Sequence, residues 1–330
     1  MKGLKLNDKF SRAKQKYGIF LVLVILFIIS SFINDNFLSV RNLTNISRQI
    51  SITTILAFGE TILIISGMLD LSSGSVLALA GLLSVSVYKL TGSLLLAFLV
   101  AIVVAVVCNI INGIMVTKFE TPPFIATLAM MAMARGAALL YTNGQNIYRI
   151  GDYTVFGQGS IGFIPTPIVF FILIGIVTWY ILNHTRLGRS LYSIGGNEEA
   201  SVASGINVKR KKMMAFIING VFVGIAGVIF MSRVNAGLPN GAVGFEFEAL
   251  TSSIIGGTSF SGGLGTAGGT VIGAFIVGFL NNIMNLVGVN SYIQQIIRGA
   301  IIALAVIYDT RSKKMRTKRK LGNINDQLTA

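Results

Sequence analysis

Residues Ser93–Val116 read SLLLAFLVAIVVAVVCNIINGIMV, a run of 24 residues without a single charge. At 1.5 Å per residue a helix of that length reaches roughly 36 Å, enough to cross the apolar layer of a bilayer, which is about 30 Å thick. It is apolar on every side, so it has no face to offer to water. The rest of the chain agrees. Its 330 residues are 53% hydrophobic and only 12% charged, and the mean hydropathy is +0.75. A soluble domain carries roughly twice that charged fraction. Such an apolar surplus belongs in lipid.

Nine further runs flank this one: Gly18–Ile33, Ile50–Ser66, Ser75–Leu90, Pro123–Tyr141, Thr166–Leu182, Met213–Ser232, about Glu246–Gly257, Gly268–Val287 and Tyr292–Tyr308. The run at Glu246–Gly257 is short and flanked by polar residues. The formal net charge of +15 is concentrated near span ends. Six basic residues precede Gly18, six lie within His184–Lys212 and seven follow Asp309, together 19 of the 27 Lys and Arg. Lys and Arg beside spans stay cytoplasmic. A nucleic-acid reader would instead gather them on a soluble face, so no nucleic-acid partner is expected. With the N-terminus inside, six spans return the chain to the cytoplasm at the second cluster. Three spans after the seventh then bring the basic tail inside as well. This predicts an all-α polytopic membrane protein of about ten transmembrane helices, multi-pass in the bacterial cytoplasmic membrane, with both termini cytoplasmic. Residues 1–17 form a cytoplasmic segment, 18–308 one transmembrane domain with a cytoplasmic loop at 184–212, and 309–330 a basic tail. Arg41 and Arg48 fall on the external side, against the bias of the other cations. The apolar stretch after the basic start lacks a small-residue cleavage site and reads as an uncleaved first span.

Polar groups within the runs are few, and at membrane depth each is costly unless paired. They are Glu60, Asp70, Asn109, Asn112, Arg135, Asn219, Asn281, Asn282, Asn285, Gln294, Gln295 and Arg298. Asp70 beside Ser72 and Ser73 has the composition of a helix N-cap cluster, and equally of a substrate contact. The amides at Asn109, Asn112, Asn281, Asn282, Asn285 and Gln294 suit either the polar groups of a solute along a translocation path or bonds between helices. Asn109–Gly113 and Asn281–Asn285 are similar Asn-bearing span ends, a hint of an internal repeat. Gly220 with Gly224, and Gly269 with Gly273, have the spacing that lets helices approach closely in lipid. The single Cys108 and single His184 offer no disulfide, metal site or catalytic set. The glycine-rich Gly256–Gly269 lacks the Gly-Lys pair of a phosphate-binding loop, so no cofactor is expected on this chain.

The loop Gly195-Gly196-Asn197-Glu198-Glu199-Ala200-Ser201-Val202-Ala203-Ser204-Gly205-Ile206 predicts a short capped helix. Asn197 is its cap, Glu198 and Glu199 complement its dipole, and Gly205 stops it. It has almost no apolar face, which suits a knob for a soluble partner. With Asn36–Leu43, Leu69–Ser75, Thr121–Leu128, Ile255–Ser259, Gly262-Gly263 and Gly278–Asn282, this stretch resembles the permease subunits of ABC sugar importers of the ribose, xylose, arabinose and autoinducer-2 type, with ribose-type members the most similar. The resemblance implies a homodimer of permeases around a central path for a small sugar and a cytoplasmic ABC ATPase that binds the ATP. It also implies an extracytoplasmic sugar-binding protein, and a coupling helix over Glu198–Gly205 with Gly196, Asn197, Glu199, Ala200, Ser201 and Ile206 around it. Ser201 stands where that family's loop has alanine.

Overall fold

The computed structural model describes residues 2–304, 306, 307 and 311. The tail assigned to 309–330 lies, apart from Arg311, outside them. Helices dominate: α1 (Lys2–Ile33), α2 (Val40–Ile65), α3 (Ser73–Thr91), α4 (Leu94–Thr117), α5 (Pro123–Thr142), α6 (Thr166–His184), α7 (Arg186–Gly196), α8 (Glu198–Ala203), α9 (Val208–Val234), α10 (Phe245–Ile255) and α11 (Ala267–Leu286). Residues 291–304 are helical as well. Seven of these, α2 to α6, α9 and α11, are long and apolar enough to cross a membrane, and α1 contains a shorter apolar stretch at Gly18–Ile33. A small hairpin, Ser160–Ile161 against Ile164–Pro165, is the only strand pair among the described residues.

Helix ends follow local chemistry rather than hydropathy. α2 starts ten residues before the apolar run at Ile50, because Ser39 caps it by accepting the Asn42 N–H. α9 starts at Val208, capped by Asn207. Between α3 and α4 the chain turns on Gly92 (φ 68°) and Ser93, whose hydroxyl accepts the Leu96 N–H. The loop at 184–212 holds a second helix, α7, which the sequence reading had not separated.

α2, α3, α4 and α9 form the centre. Glycine makes their approach possible. A Cβ on Gly220 would lie 2.8 Å from Val106 Cα, and one on Gly224 would lie 2.7 Å from Ile102 Cα, so α4 and α9 meet backbone to backbone. Gly269 and Gly273 do the same for α10 and α11, where added Cβ atoms would strike the Gly256 and Ser252 carbonyls. Lipid gives no hydrophobic drive to such packing, so close van der Waals contact supplies it. Gly224→Leu should therefore cost about 3 kcal/mol or more, read as a lower melting midpoint in detergent. An unchanged midpoint would show that α4 and α9 are not so packed.

α3 and α10 both start inside the fold, after the chain has turned back on itself. After α2 ends, Ser66–Ser72 doubles back: the Met68 N–H donates to Leu63 O (3.0 Å), and the Asp70 N–H reaches Glu60 Oε2 (3.2 Å). α3 thus starts beside Glu60, about 8 Å back along α2. After α9, residues 236–244 likewise turn back inward. Arg135 of α5 secures this return, donating through Nη1 to Pro239 O (2.9 Å) and Gly241 O (2.8 Å). α10 then starts next to α3, where a Cβ on Gly74 would strike Glu246 Oε2 and lie 2.6 Å from Ala242 O. The N-termini of α3 and α10 meet in the interior and their helices run in opposite directions. The predicted eighth span is this half-helix of 11 residues, Phe245–Ile255.

Candidate functional site

The meeting point of α3 and α10 is the most polar place in the interior. Glu60, Asp70, Ser72, Ser73, Asn109, Asn112 and Asn219 are all fully buried there, with Glu246 at their edge. Asp70 is the hub. Its Oδ1 accepts from the Ser72 N–H (2.8 Å) and the Ser72 hydroxyl, and its Oδ2 from Asn219 Nδ2 (2.7 Å) and Ser73 Oγ (3.2 Å). Ser73 Oγ also reaches Glu60 Oε1 (3.1 Å). Asn219 donates on to Asn109 Oδ1 (3.0 Å), and Asn112 Nδ2 donates to Ser72 Oγ (3.0 Å). The cluster ties α2, α3, α4 and α9 through one carboxylate. The cap expectation for Asp70 needs adjustment. Ser72 is the N-cap of α3, and Asp70 takes the Ser72 N–H rather than one inside the helix. Acids at the starts of α3 and α10 suit the positive ends of those helix dipoles. Among the described residues no three His, Cys, Asp or Glu gather as metal ligands.

A second polar group lies at α10, α11 and the helix over residues 291–304. Glu248 Oε1 accepts from Arg298 Nη1 (2.9 Å) and Asn281 Nδ2 (3.1 Å). Gln294 Nε2 donates to Asn285 Oδ1 (2.9 Å) and Val289 O (2.9 Å), and Arg298 Nη2 reaches Gln294 Oε1 (3.4 Å). A recess opens beside it, lined by Phe247, Glu248, Asn281, Met284 and Arg298 among others. Asn282 stands apart, in a reciprocal amide pair with Asn42 of α2 (2.9 and 3.2 Å). The predicted polar residues thus fall into three groups: Asp70, Asn109 and Asn112 in the central cluster, Asn281, Asn285 and Gln294 beside the recess, and Asn282 against α2. Glu246 and Glu248 were missed. Their signal was two acids in the first turn of a segment too short to span.

The loop helix stands as the sequence predicts. Asn197 Oδ1 accepts the Ala200 N–H (2.9 Å), Gly205 adopts φ 78°, and the Ile206 N–H returns to Ser201 O (3.0 Å). Gly196, Glu198, Glu199 and Ala200 are exposed. Ser201 is buried, its hydroxyl 2.8 Å from Ser193 Oγ and donating to Asn197 O (2.9 Å). Serine at this position therefore joins α8 to α7 rather than facing outward. Glu198 pairs with Lys212 at 2.7 Å. Behind α8, Gly195 lies against Ile65 O at the end of α2, and Tyr192 Oη donates to Gly265 O (2.7 Å). Burial pushes the Tyr192 phenol above its ordinary pKa, so it keeps the proton it donates. Gly263 N donates to Ile65 O (2.8 Å), joining the glycine-rich segment to the same end.

A family model described as the permease component of a branched-chain amino acid transport system matches residues 42–306. The chain belongs to this permease family. The permease is 39% identical over 298 residues, 89% of its length and 93% of the relative's, to the ribose import permease protein RbsC of Escherichia coli K12. Against the ribose import permease protein RbsC of Bacillus subtilis it is 40% identical over 305 residues, 92% and 95% of the two chains. It is also 37% identical, over 89% of its length and 91% of the relative's, to the D-allose transport system permease protein AlsC of E. coli K12. No solved structure matches the permease.

Proposed function

We propose that this chain is the membrane-spanning subunit of an ABC importer for a monosaccharide, ribose or a close relative. The observation that carries the reading is α8, a short capped helix that exposes Glu198, Glu199, Ala200 and Val202 and is joined through α7 to the end of α2 and the glycine-rich segment. That is the form of a coupling helix over Glu198–Gly205, docking in a separate ATPase subunit. The relatives' names support a sugar as cargo, and identity near 40% over most of both chains supports ribose first. In this reading ten helices cross the membrane, including α10 and the helix over residues 291–304, both termini are cytoplasmic, and two copies enclose the path. Asn281, Asn285 and Gln294 line that path beside the recess, whereas Asp70, Asn109, Asn112 and Asn282 hold the helices together. ATP binding closes the ATPase dimer, moves both α8 helices and opens the path toward a sugar-loaded binding protein. Sugar leaves inward after hydrolysis. No catalytic step falls to this chain.

Co-expression with the neighbouring ATPase and purification in mild detergent tests the reading. Wild type should bring the ATPase through the column, and E198K/E199K should lose it. The Glu198 side chain is 53% exposed, and such a pair contributes little to stability, so the variant should still fold. An intact variant that keeps its ATPase would refute this docking site. The family description favours branched-chain amino acids as a second cargo class. Uptake of labelled ribose against labelled leucine by the reconstituted complex separates the two.

A further inference from the structure

A hairpin of bare apolar residues stands at the start of α6. Ser160–Ile161 pairs antiparallel with Ile164–Pro165 across the two-residue turn Gly162-Phe163. Gly162 adopts φ 63°, and glycine at the first turn position suits a type II′ turn. The turn holds Phe163 clear of the rest of the chain: it is 104% exposed, with Ile161 at 64% and Ile164 at 48%. No Asp, Glu, Lys or Arg occurs between Asp152 and Arg186. The base of the hairpin is braced. Thr166 N donates to Gly159 O (3.0 Å), Gly157 N to Ser232 Oγ (2.6 Å) and Gln158 Nε2 to Arg233 O (3.1 Å), while Arg48 Nη2 donates to Gln158 O (2.7 Å). These bonds tie the hairpin to α2 and α9.

Position decides what covers the tip. The hairpin leads directly into α6, whose apolar window is 22% buried, the lowest share among the seven long apolar helices. Ile172, Leu173, Ile176 and Val177 of α6 are exposed as well, and on a spanning helix such a face meets acyl chains. At the other end of α6, Trp179 and Tyr180 are half exposed and pack on the His184 ring, at centroid distances of 4.7 and 5.7 Å. Aromatic rings gather at both faces of a bilayer. Thr166 and Tyr180 are about 21 Å apart along the helix, and the hairpin extends before Thr166, so Phe163 stands where the second aromatic belt falls. Unpaired main-chain groups are too costly for the hydrocarbon centre, which keeps the turn at the interface. A soluble partner is met through an apolar centre inside a polar rim, whereas this tip leads into an apolar helix face.

We infer that the hairpin Ser160–Pro165 is a membrane-interface anchor, seating Ile161, Phe163 and Ile164 among the headgroups and upper acyl chains beside α6. Through Gln158 it fastens α2 and the end of α9 to the bilayer surface, whatever the cargo. The chain has a single tryptophan, Trp179, so F163W/W179F reports on the tip and wild type on the lipid face of α6. Each full-length chain is reconstituted in liposomes whose lipids carry bromine high on the acyl chains, near the chain ends, or not at all, and tryptophan emission is compared. The shallow bromines should quench F163W/W179F about as strongly as they quench Trp179. Bromines near the chain ends should quench it less, and iodide in the buffer should reach it poorly. I164W/W179F repeats the measurement one residue along and should give the same order, so the result does not hang on one variant. Emission that ignores both bromines and yields to iodide would put the tip in water and overturn the anchor. Emission that ignores all three quenchers would mean that a second copy of the chain covers the tip, which overturns it equally. Stronger quenching by the chain-end bromines than by the shallow ones would place the turn in the hydrocarbon centre, against an interfacial seat.

Discussion

Asp70→Ala should leave little folded protein. The carboxylate accepts from Ser72 N and Oγ, Ser73 Oγ and Asn219 Nδ2, all in a fully buried setting. Each donor left without an acceptor costs about 1–3 kcal/mol, and the sum approaches the about 5–15 kcal/mol by which domains are stable at all. The expected result is a melting midpoint lowered by more than about 10 °C, with most of the chain aggregating in size-exclusion chromatography. Ser73→Ala removes one donor and leaves the hub in place, so its midpoint should fall far less. An Asp70→Ala protein that melts like wild type would mean that the polar cluster is not what joins α2, α3, α4 and α9. If it melts like wild type but does not transport, Asp70 belongs to the sugar path instead.

The cluster also shows where sequence ran out. The seven long helices were readable because an uninterrupted apolar run has only one home. The α8 helix was readable because its caps are local chemistry: Asn197, Glu198, Glu199 and Gly205 specify its start and stop within nine residues. The glycine pairs at Gly220/Gly224 and Gly269/Gly273 were readable from spacing alone. Asp70, Asn219 and Asn112 could be picked out as costly, yet nothing local tells that residues 149 positions apart share a bond. Glu246 and Glu248 were lost for a different reason. Hydropathy treats an acid as the edge of a span, but here both acids lie inside, at the start of a half-helix whose dipole favours them, Glu246 accepting the Gly244 N–H and Glu248 bonding Asn281 and Arg298. Hydropathy also set α2 ten residues short, because its exposed first turns are polar and a cap, not an apolar residue, begins the helix. The segments Asn109–Gly113 and Asn281–Asn285 occupy comparable places: each lies on the long helix that follows a helix, α3 or α10, begun in the interior after the chain doubles back, and an amide of each reaches into a polar group there.

Gly195→Val should separate ATPase binding from transport. Gly195 has no space for a Cβ, which would strike Ile65 O and lie 2.5 Å from Gly263 N, both backbone atoms that cannot move aside cheaply. The substitution pushes α7 away from the end of α2 and from the glycine-rich segment, yet leaves the exposed face of α8 unchanged. The ATPase should still co-purify, whereas binding-protein-stimulated transport should fall more than about 10-fold. Overpacking of this kind costs about 1–3 kcal/mol, so the protein should remain folded. Tyr192→Phe tests the same junction more gently, since it removes only the bond to Gly265 O. It should lower transport by a smaller factor at unchanged ATPase affinity. If both variants lost the ATPase, α7 and α8 would form one binding surface. If both transported like wild type, motion of α8 would have to reach the interior by another route, such as the ion pair from Glu198 to Lys212 of α9.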